Sequence, residues 1–348
     1  MEASSSKKKK KKELPREMGN LSHLKVLDLS KCHALQRIPP GLLLSLSHLE
    51  ELYMFGADVD WEPTEGNEEG ANASLAELMS LSNHLMALKI DIPNIEVLPK
   101  HILFKNQMIK FQIFVGEGMY RYLAETDSYL FKNKLALRRC DIAKSRMLLQ
   151  LLAKCEILYL RDIIDLKNIE YELDKEGFQC LKVLEVRGGI NVEYVIDATL
   201  HQTPRAAFPI LESLNLSYLY DLKEICHCQF PERSLTDAKL GCFGNLRSIR
   251  LFCCDQLKNV FSLSIARSLV QLQELKIFSS DHMKEIFRKE GEDEKALDKI
   301  MFPQLTLLHL NCPRLIGFCT GMGPVQLVQS SLNREVCMYH SKLVVLCF

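Results

Sequence analysis

The sequence predicts an α/β solenoid, a curved stack with about eleven short parallel strands on its concave face and irregular or helical segments on its convex side. Three observations predict it. An apolar pattern ending in two inward positions one residue apart recurs eleven times along the 348 residues. The interval between recurrences stays in a narrow range. The composition, 47% hydrophobic and 25% charged, is that of a folded chain.

The clearest copies are Leu21, Leu24, Leu27, Leu29, Cys32, Leu35, Ile38; then Phe178, Leu181, Leu184, Val186; and Phe243, Leu246, Ile249, Leu251, Cys254, Leu257, Val260. The first inward position falls at residues 27, 52, 88, 111, 135, 158, 184, 214, 249, 275 and 308, giving steps of 25, 36, 23, 24, 23, 26, 30, 35, 26 and 33. Seven of these ten steps are 30 or shorter, near the leucine-rich-repeat period of about 20–29. The longer steps are insertions.

The physics of the pattern is direct. Two apolar residues at period two make a short strand with one buried face, and the apolar residues that follow return the chain along the other side. One unit cannot bury its own leucines, whereas stacked units share a continuous core. Leu27, Leu29, Leu184, Leu214, Leu216, Leu251, Leu275 and Leu310 are therefore predicted to be buried. Asp141–Lys154 carries Ile142, Met147, Leu148, Leu151 and Leu152 at helical spacing and is predicted to form a convex helix. Cys32, Cys140, Cys254 and Cys312 follow the strand, where a small, weakly polar side chain packs beneath the turn.

Three segments stand apart. Residues 1–13, Ser- and Lys-rich, read as a disordered flank, with Lys7 to Lys12 as a solvated run or, alternatively, a nuclear import address. Gly56 to Ser74 holds six acidic and no basic residues and reads as an acidic surface loop. Residues 319–348 read as an irregular tail after the repeat domain, 14–318. Arg288 to Lys299 reads as a charged insertion. No window approaches 18 uninterrupted apolar residues, so no transmembrane helix is expected. No secretory signal follows the basic start, so a cytoplasmic, reducing location with free thiols is expected for the 13 cysteines.

Catalytic signatures are missing. The chain has no G-x-x-x-x-G-K-[ST], no H-E-x-x-H and no G-x-S-x-G. Cys226-His227-Cys228 is too short a chord to chelate one tetrahedral ion, and no second ligand pair lies nearby. Neither enzyme activity, a metal nor a cofactor is expected. Lys+Arg and Asp+Glu balance at 44 each, which argues against specific nucleic-acid binding or electrostatic membrane attachment.

The candidate site comes from the outward positions of the strands. The residue after the second inward position reads Ser30, Phe55, Asp91, Phe114, Arg138, Arg161, Arg187, Ser217, Phe252, Phe278 and Asn311. Arg138, Arg161 and Arg187 are thus predicted side by side on strands about 4.8 Å apart. Like charges across neighbouring strands destabilise a sheet, so folding alone gives no reason for the row. Tyr159, Arg250 and Lys276 join from the adjacent outward position, with Phe252 and Phe278 close by. Arginine with aromatics is the composition of interface hot spots, and an arginine row suits an acidic partner. Against this stands a plain surface on which Glu185 and solvent screening make the row tolerable.

The segments LPREMGNLSHLKVLDLSKCHALQRIPPGLLLSLSHLEELYM, NASLAELMSLSNHLMALKIDIP, YELDKEGFQCLKVLEV and FGNLRSIRLFCCDQLKNVFSLSIARSLVQLQELKIF resemble the leucine-rich-repeat region of plant coiled-coil nucleotide-binding disease-resistance proteins. The likeness runs from about Leu14 to Phe318. It implies an intracellular immune receptor whose repeats sense a pathogen effector or a modified host protein and restrain a nucleotide switch. The family's coiled coil and nucleotide-binding domain have no counterpart here, so the resemblance implies a protein ligand, and a nucleotide-binding domain in trans, as partners. A repeat-type substrate adaptor for a ubiquitin ligase is the alternative.

Overall fold

The computed structural model describes residues 12–63, 72–81, 84–99, 110–118, 133–142, 145–173, 178–200, 207–227, 243–289, 302–317, 319, 337–339 and 342–344. The chain divides into two compact units, residues 1–134 with 144–147, and residues 135–143 with 148–348. Each is a run of leucine-rich repeats.

In the first unit the strands are β1 (Lys12–Glu13), β2 (Val26–Asp28), β3 (Leu35–Arg37), β4 (Glu51–Met54), β5 (Ala87–Ile92) and β6 (Lys110–Val115). Strands β2, β4, β5 and β6 lie parallel with Leu27, Leu52, Leu88 and Phe111 in register, and Leu52, Leu88 and Phe111 fully buried. Short helices Leu42–Ser45 and Leu75–Ser80 carry the chain back. Lys12 and Glu13, read from sequence as part of a disordered flank, pair in parallel with β3.

Two expectations fail in this unit. The acidic segment is not simply a solvated loop, because Ala57, Val59 and Trp61 are buried and Glu62 bridges Ser74. The run Ala-Asp-Val-Asp-Trp alternates at period two, so its apolar members share one face and its aspartates the other. Asp91 and Phe114, expected to face outward, are also buried. The Gly56 amide donates to Asp91 Oδ2 at 2.6 Å, and Phe55 meets Phe114 with ring centroids 5.1 Å apart. Burial, chiefly, pushes the Asp91 carboxyl up to about 6, against that hydrogen bond and Lys89.

The second unit holds β7 (Lys134–Arg138), β8 (Ile157–Ile163), β9 (Val183–Gly189), β10 (Tyr194–Asp197), β11 (Ser213–Ser217), β12 (Glu224–His227) and β13 (Ser248–Phe252). It continues with β14 (Phe261–Ser262), β15 (Glu274–Phe278), β16 (Phe287–Arg288), β17 (Leu307–Asn311), β18 (Cys337–Tyr339) and β19 (Lys342–Val344). Seven strands follow one another across its sheet in the order β7-β8-β9-β11-β13-β15-β17. With the four of the first unit, they account for all eleven recurrences of the pattern. From β8 to β17 the register is direct, Leu158↔Leu184↔Leu214↔Ile249↔Leu275↔Leu308. All eight leucines predicted to be inward are buried. Strand β19 closes the β17 edge in antiparallel sense and pairs with β18.

The return side differs from the irregular or helical expectation. Part of it is helical, including Arg146–Leu152 within the predicted segment, with Ile142, Met147, Leu148, Leu151 and Leu152 buried. Part of it is strand. Strand β10 pairs in parallel with β12, and β14 with β16. Arg288, read as the start of a charged insertion, belongs to β16 and donates to Glu224 Oε1 at 2.9 Å.

Two devices repeat along the stack. After the second outward position the chain turns through a left-handed residue, at Lys31, Gly56, Arg139, Asp162, Gly188, Tyr218, Cys253 and Ser279. Only glycine takes that conformation without strain. At Gly188 a β-carbon would also meet Asp162 Oδ1 at 2.8 Å, so a larger residue there would both take on the left-handed strain and push the Asp162 carboxylate aside. The second device is a column of stacked rings before the strands, Phe178 on Phe208 at 5.2 Å and Phe208 on Phe243 at 5.9 Å, all buried.

Cys140, Cys254 and Cys312 are buried beneath their turns as predicted, and Cys254 Sγ lies 3.7 Å from the Leu216 carbonyl oxygen. Burial pushes the thiols of Cys140 and Cys254 up to about 12 and that of Cys312 to about 11. Cys32 is exposed, contrary to expectation. Its strand, β2, ends the sheet order, so no earlier repeat lies over that turn among the described residues. No helix among the described residues is long and apolar enough to cross a membrane.

Candidate functional site

All eight site residues predicted from the sequence stand on the outward side of one sheet, in the second unit. Strand alternation puts them there. In β8, β9, β11, β13, β15 and β17 the inward pair is buried while the residues between and after it are half-buried or exposed. Because register never slips across these strands, equivalent positions form two straight rows. One runs Tyr159, Glu185, Asn215, Arg250, Lys276, His309; the other runs Arg161, Arg187, Ser217, Phe252, Phe278, Asn311. Arg138 extends the second row on β7, next to β8.

The rows are not a bare field of positive charge. Arg138 Nε donates to Asp162 Oδ2 at 3.0 Å, and Arg139 Nε lies 3.8 Å from the same oxygen. Arg250 Nη2 donates to Glu274 Oε2 at 2.7 Å, Ser248 donates to that oxygen at 2.8 Å, and Lys276 Nζ donates to Glu274 Oε1. Arg161 and Arg187 face each other directly with Glu185 in the adjacent row. Burial pushes the Glu185 carboxyl up, while an Asn215 hydrogen bond and the guanidinium groups of Arg187, Arg161 and Arg250 pull it down. The expected counter-ion is present beside the arginines.

Beyond the arginines the face turns aromatic. The Arg187 guanidinium lies 5.1 Å from the Tyr218 ring centroid. Tyr218 meets Phe252 at 5.1 Å, Phe252 meets Phe278 at 6.2 Å, and Phe278 meets His309 at 4.4 Å. Phe252 is 37% exposed, a large fraction for a phenylalanine in the middle of a sheet. Asp162, Tyr218, Glu274 and His309 complete the surface and were missed by the reading of outward positions. Asp162 and Tyr218 occupy the left-handed turn, one residue beyond the row, and Glu274 stands one position before it.

Glu274 makes an acid-sensitive tie. Burial alone would raise its carboxyl, yet the hydrogen bonds from Lys276, Arg250 and Ser248 outweigh that and hold it at about 2 instead of 4.5. A depressed carboxylate contributes stability above its unfolded value and loses that contribution as pH falls through the folded one. Urea midpoints of the parent and Glu274→Gln should therefore differ above pH 4.5 and converge as pH falls towards about 2. A constant gap across that window would mean the tie contributes nothing.

Elsewhere the chemistry is thin. His227 Nδ1 lies 3.2 Å from Glu224 Oε2, and Cys228 falls outside the described residues. Among the described residues no group of three or more His, Cys, Asp or Glu is arranged to hold a metal ion. A cleft of about 220 Å³ between β12 and β14 is lined by Lys223, Lys258 and Arg288. Lys223 and Arg288 already pair with Glu193 at 2.6 Å and Glu224 at 2.9 Å, so an anion there would have to displace carboxylates.

Residues 150–281 and 210–315 match the family described as plant disease resistance protein RPS2-like, leucine-rich repeats. The repeats resemble those of plant disease-resistance proteins. Over 314 residues the chain is 25% identical to Disease resistance protein At4g27190 of Arabidopsis thaliana, covering 88% of this chain and 30% of that protein. The chain thus spans about a third of its relative. A solved leucine-rich-repeat protein of Leptospira interrogans aligns over 92% of this chain and 91% of its own, at 15% identity and a TM-score of 0.30. Repeats of this disease-resistance kind are, as a rule, protein-interaction modules without catalysis.

Proposed function

We propose that this chain is the recognition and regulatory region of an intracellular plant immune receptor. Its outward strand face binds a protein, either a pathogen effector or a modified host protein, and in the resting state engages a nucleotide-binding domain to restrain its switch. The chain acts without catalysis and without a cofactor of its own. The observation that carries this reading is the in-register row of Arg161 and Arg187 running into Tyr218, Phe252 and Phe278 on an open sheet face. Packing of the solenoid does not call for it, since the leucines behind already form the core and like charges across strands oppose pairing. The disease-resistance character of the repeats supports a defence role.

The test is affinity capture from plant extract with quantitative mass spectrometry, using the parent and Arg161→Glu/Arg187→Glu side by side. A nucleotide-binding domain, effector or host protein recovered by the parent should fall at least ~tenfold with the variant, more steeply at low salt, because exposed charges are screened over about 10 Å at 0.1 M. Melting temperature should hardly change. Recovery of ubiquitin-ligase scaffold subunits would favour a substrate adaptor instead. Capture that ignores the charge reversal at every ionic strength would remove the strand face from recognition.

A further inference from the structure

The turns that follow β8, β9 and β11 carry a second surface, apart from the strand face. After the left-handed residues Asp162, Gly188 and Tyr218 the chain passes Ile163, Gly189 and Leu219 and then comes out at Ile164, Ile190 and Tyr220. These last three are 49%, 65% and 54% exposed. The turns stay stacked as the strands do. Ile163 pairs with Gly189, a β-carbon on Gly189 would lie 3.5 Å from Leu219 Cδ2, and the Asn191 amide donates to Asp221 Oδ2 at 3.3 Å. Ile164, Ile190 and Tyr220 therefore form one apolar strip along the edge, at about 4.8 Å per repeat. The repeat does not ask for apolar residues there, since the same turn position holds His33, Asp58, Asp141, Asp255 and Asp281 in other repeats. A single exposed isoleucine is ordinary, whereas three apolar residues in line make a contiguous patch. Carboxylates rim the strip. Asp141 and Asp255 stop it at either end, and Asp165 and Asp221, each one residue further on, border its side. Of the cations nearby, Lys223 is held by Glu193 at 2.6 Å, Arg139 lies 3.8 Å from Asp162 Oδ2, and Lys167 stands two residues beyond Asp165.

We propose that this edge docks an amphipathic helix of a partner protein, with an apolar stripe on Ile164, Ile190 and Tyr220 and Lys or Arg on its flanks. Period and charge both select that occupant. Along a helix, residues i+3 and i+7 lie about 4.5 and about 10.5 Å from residue i, against about 4.8 and about 9.6 Å for successive members of the strip. An extended chain returns to the same side only every about 6.6–6.8 Å and falls out of step after one repeat. Cations on the helix flanks meet Asp165 and Asp221, while the stripe takes the exposed apolar side chains out of water. The edge is separate from the strand face, so the proposal does not depend on what that face binds.

The experiment uses the full chain and fluorescent Ala-based peptides of about 18 residues, long enough to hold a helix. One carries Leu at i, i+3 and i+7 with Lys on both flanks. A second has Glu in place of Lys, and a third keeps the first composition but scatters the Leu around the helix. By fluorescence anisotropy the first should bind at least ~tenfold tighter than either of the others. Ile190→Ser, and separately Ile164→Ser, should weaken that binding at least ~tenfold. Asp165→Asn/Asp221→Asn should remove its salt dependence, and Phe252→Ala, on the strand face, should leave it unchanged. Thermal melts should show every variant folded like the parent. A first peptide that binds no better than the second or third would overturn the proposal. Binding lost with Phe252→Ala but kept in both isoleucine variants would place the peptide on the strand face, with the same result. A parent chain that dimerises in sedimentation velocity, and loses the dimer with Ile190→Ser, would show the strip covered by a second copy instead of a partner's helix.

Discussion

Leu216→Asp is expected to unfold the second unit or lower its stability by several kcal/mol. Leu216 holds the second inward position of β11, is wholly buried, and lies in register between Val186 of β9 and Leu251 of β13. An aspartate there puts a carboxylate into a buried apolar row between Val186 and Leu251. Transfer of an unpaired charge into such surroundings costs far more than the loss of leucine packing, and the group will protonate before it stays ionised. Even the neutral acid leaves unmade hydrogen bonds and a smaller side chain, at about 2–5 kcal/mol for the lost packing alone. Typical domains hold only about 5–15 kcal/mol in total. Because each repeat is stabilised by its neighbours, the break separates the repeats on either side, and unfolding should become broader as well as earlier. Arg187→Glu, one strand away but outward, should change the unfolding free energy by less than ~0.5 kcal/mol. Urea unfolding followed by circular dichroism decides it: a Leu216→Asp protein that unfolds with the parent would mean the inward frame is misplaced.

The sequence carried this frame well because strand alternation has a period of two and the repeats register without slippage. Once Leu214 and Leu216 are inward, Asn215 and Ser217 must be outward, and the same holds for every copy. That is why Arg138, Arg161, Arg187, Phe252 and Phe278 could be placed on one face from spacing alone. What spacing does not carry is the chemistry of residues that leave the alternation. Asp162 reaches Arg138 from a left-handed turn on the next strand, and Tyr218 turns under Arg187 from the equivalent turn. Both sites follow the outward row of Arg161 and Ser217 by one residue, where a non-glycine left-handed conformation is not forecast by residue type. Asp91 and Phe114 failed for another reason. Their outward positions are buried by contacts of Gly56 and Phe55, and no period encodes those. The short return strands β10, β12, β14 and β16, two to four residues each, fall below the length at which alternation can be told from chance.

Phe208→Ala should cost about 3–5 kcal/mol, the usual range for deleting a buried phenylalanine side chain. The ring is stacked between Phe178 and Phe243, with interplanar angles of 11° and 19°, and none of the three is more than 1% exposed. Truncation removes both stacking contacts and leaves a cavity in the middle of the column. The position has a further weakness. Phe178 and Phe243 adopt left-handed backbone, with φ of 51° and 65°, a conformation that costs an L-residue about 1–2 kcal/mol. Packing against Phe208 helps to hold both in place, so its loss loosens the turns before β9 and β13 together with the column itself. The damage should therefore spread: hydrogen exchange in Phe208→Ala should quicken at the amides of Leu181 and Leu246, which donate to the Phe178 and Phe243 carbonyls at 3.2 Å and 3.0 Å. Phe208→Leu, which keeps most of the volume, should recover much of the loss. In the double variant Phe178→Ala/Phe208→Ala the costs should fall short of additive, because each substitution removes a contact the other had used. The outward Phe252→Ala, on a ring already 37% exposed, is the natural comparison and should lower stability far less. A Phe208→Ala protein within about 1 kcal/mol of the parent, or one no weaker than Phe252→Ala, would show that the column fills space without holding the repeats together.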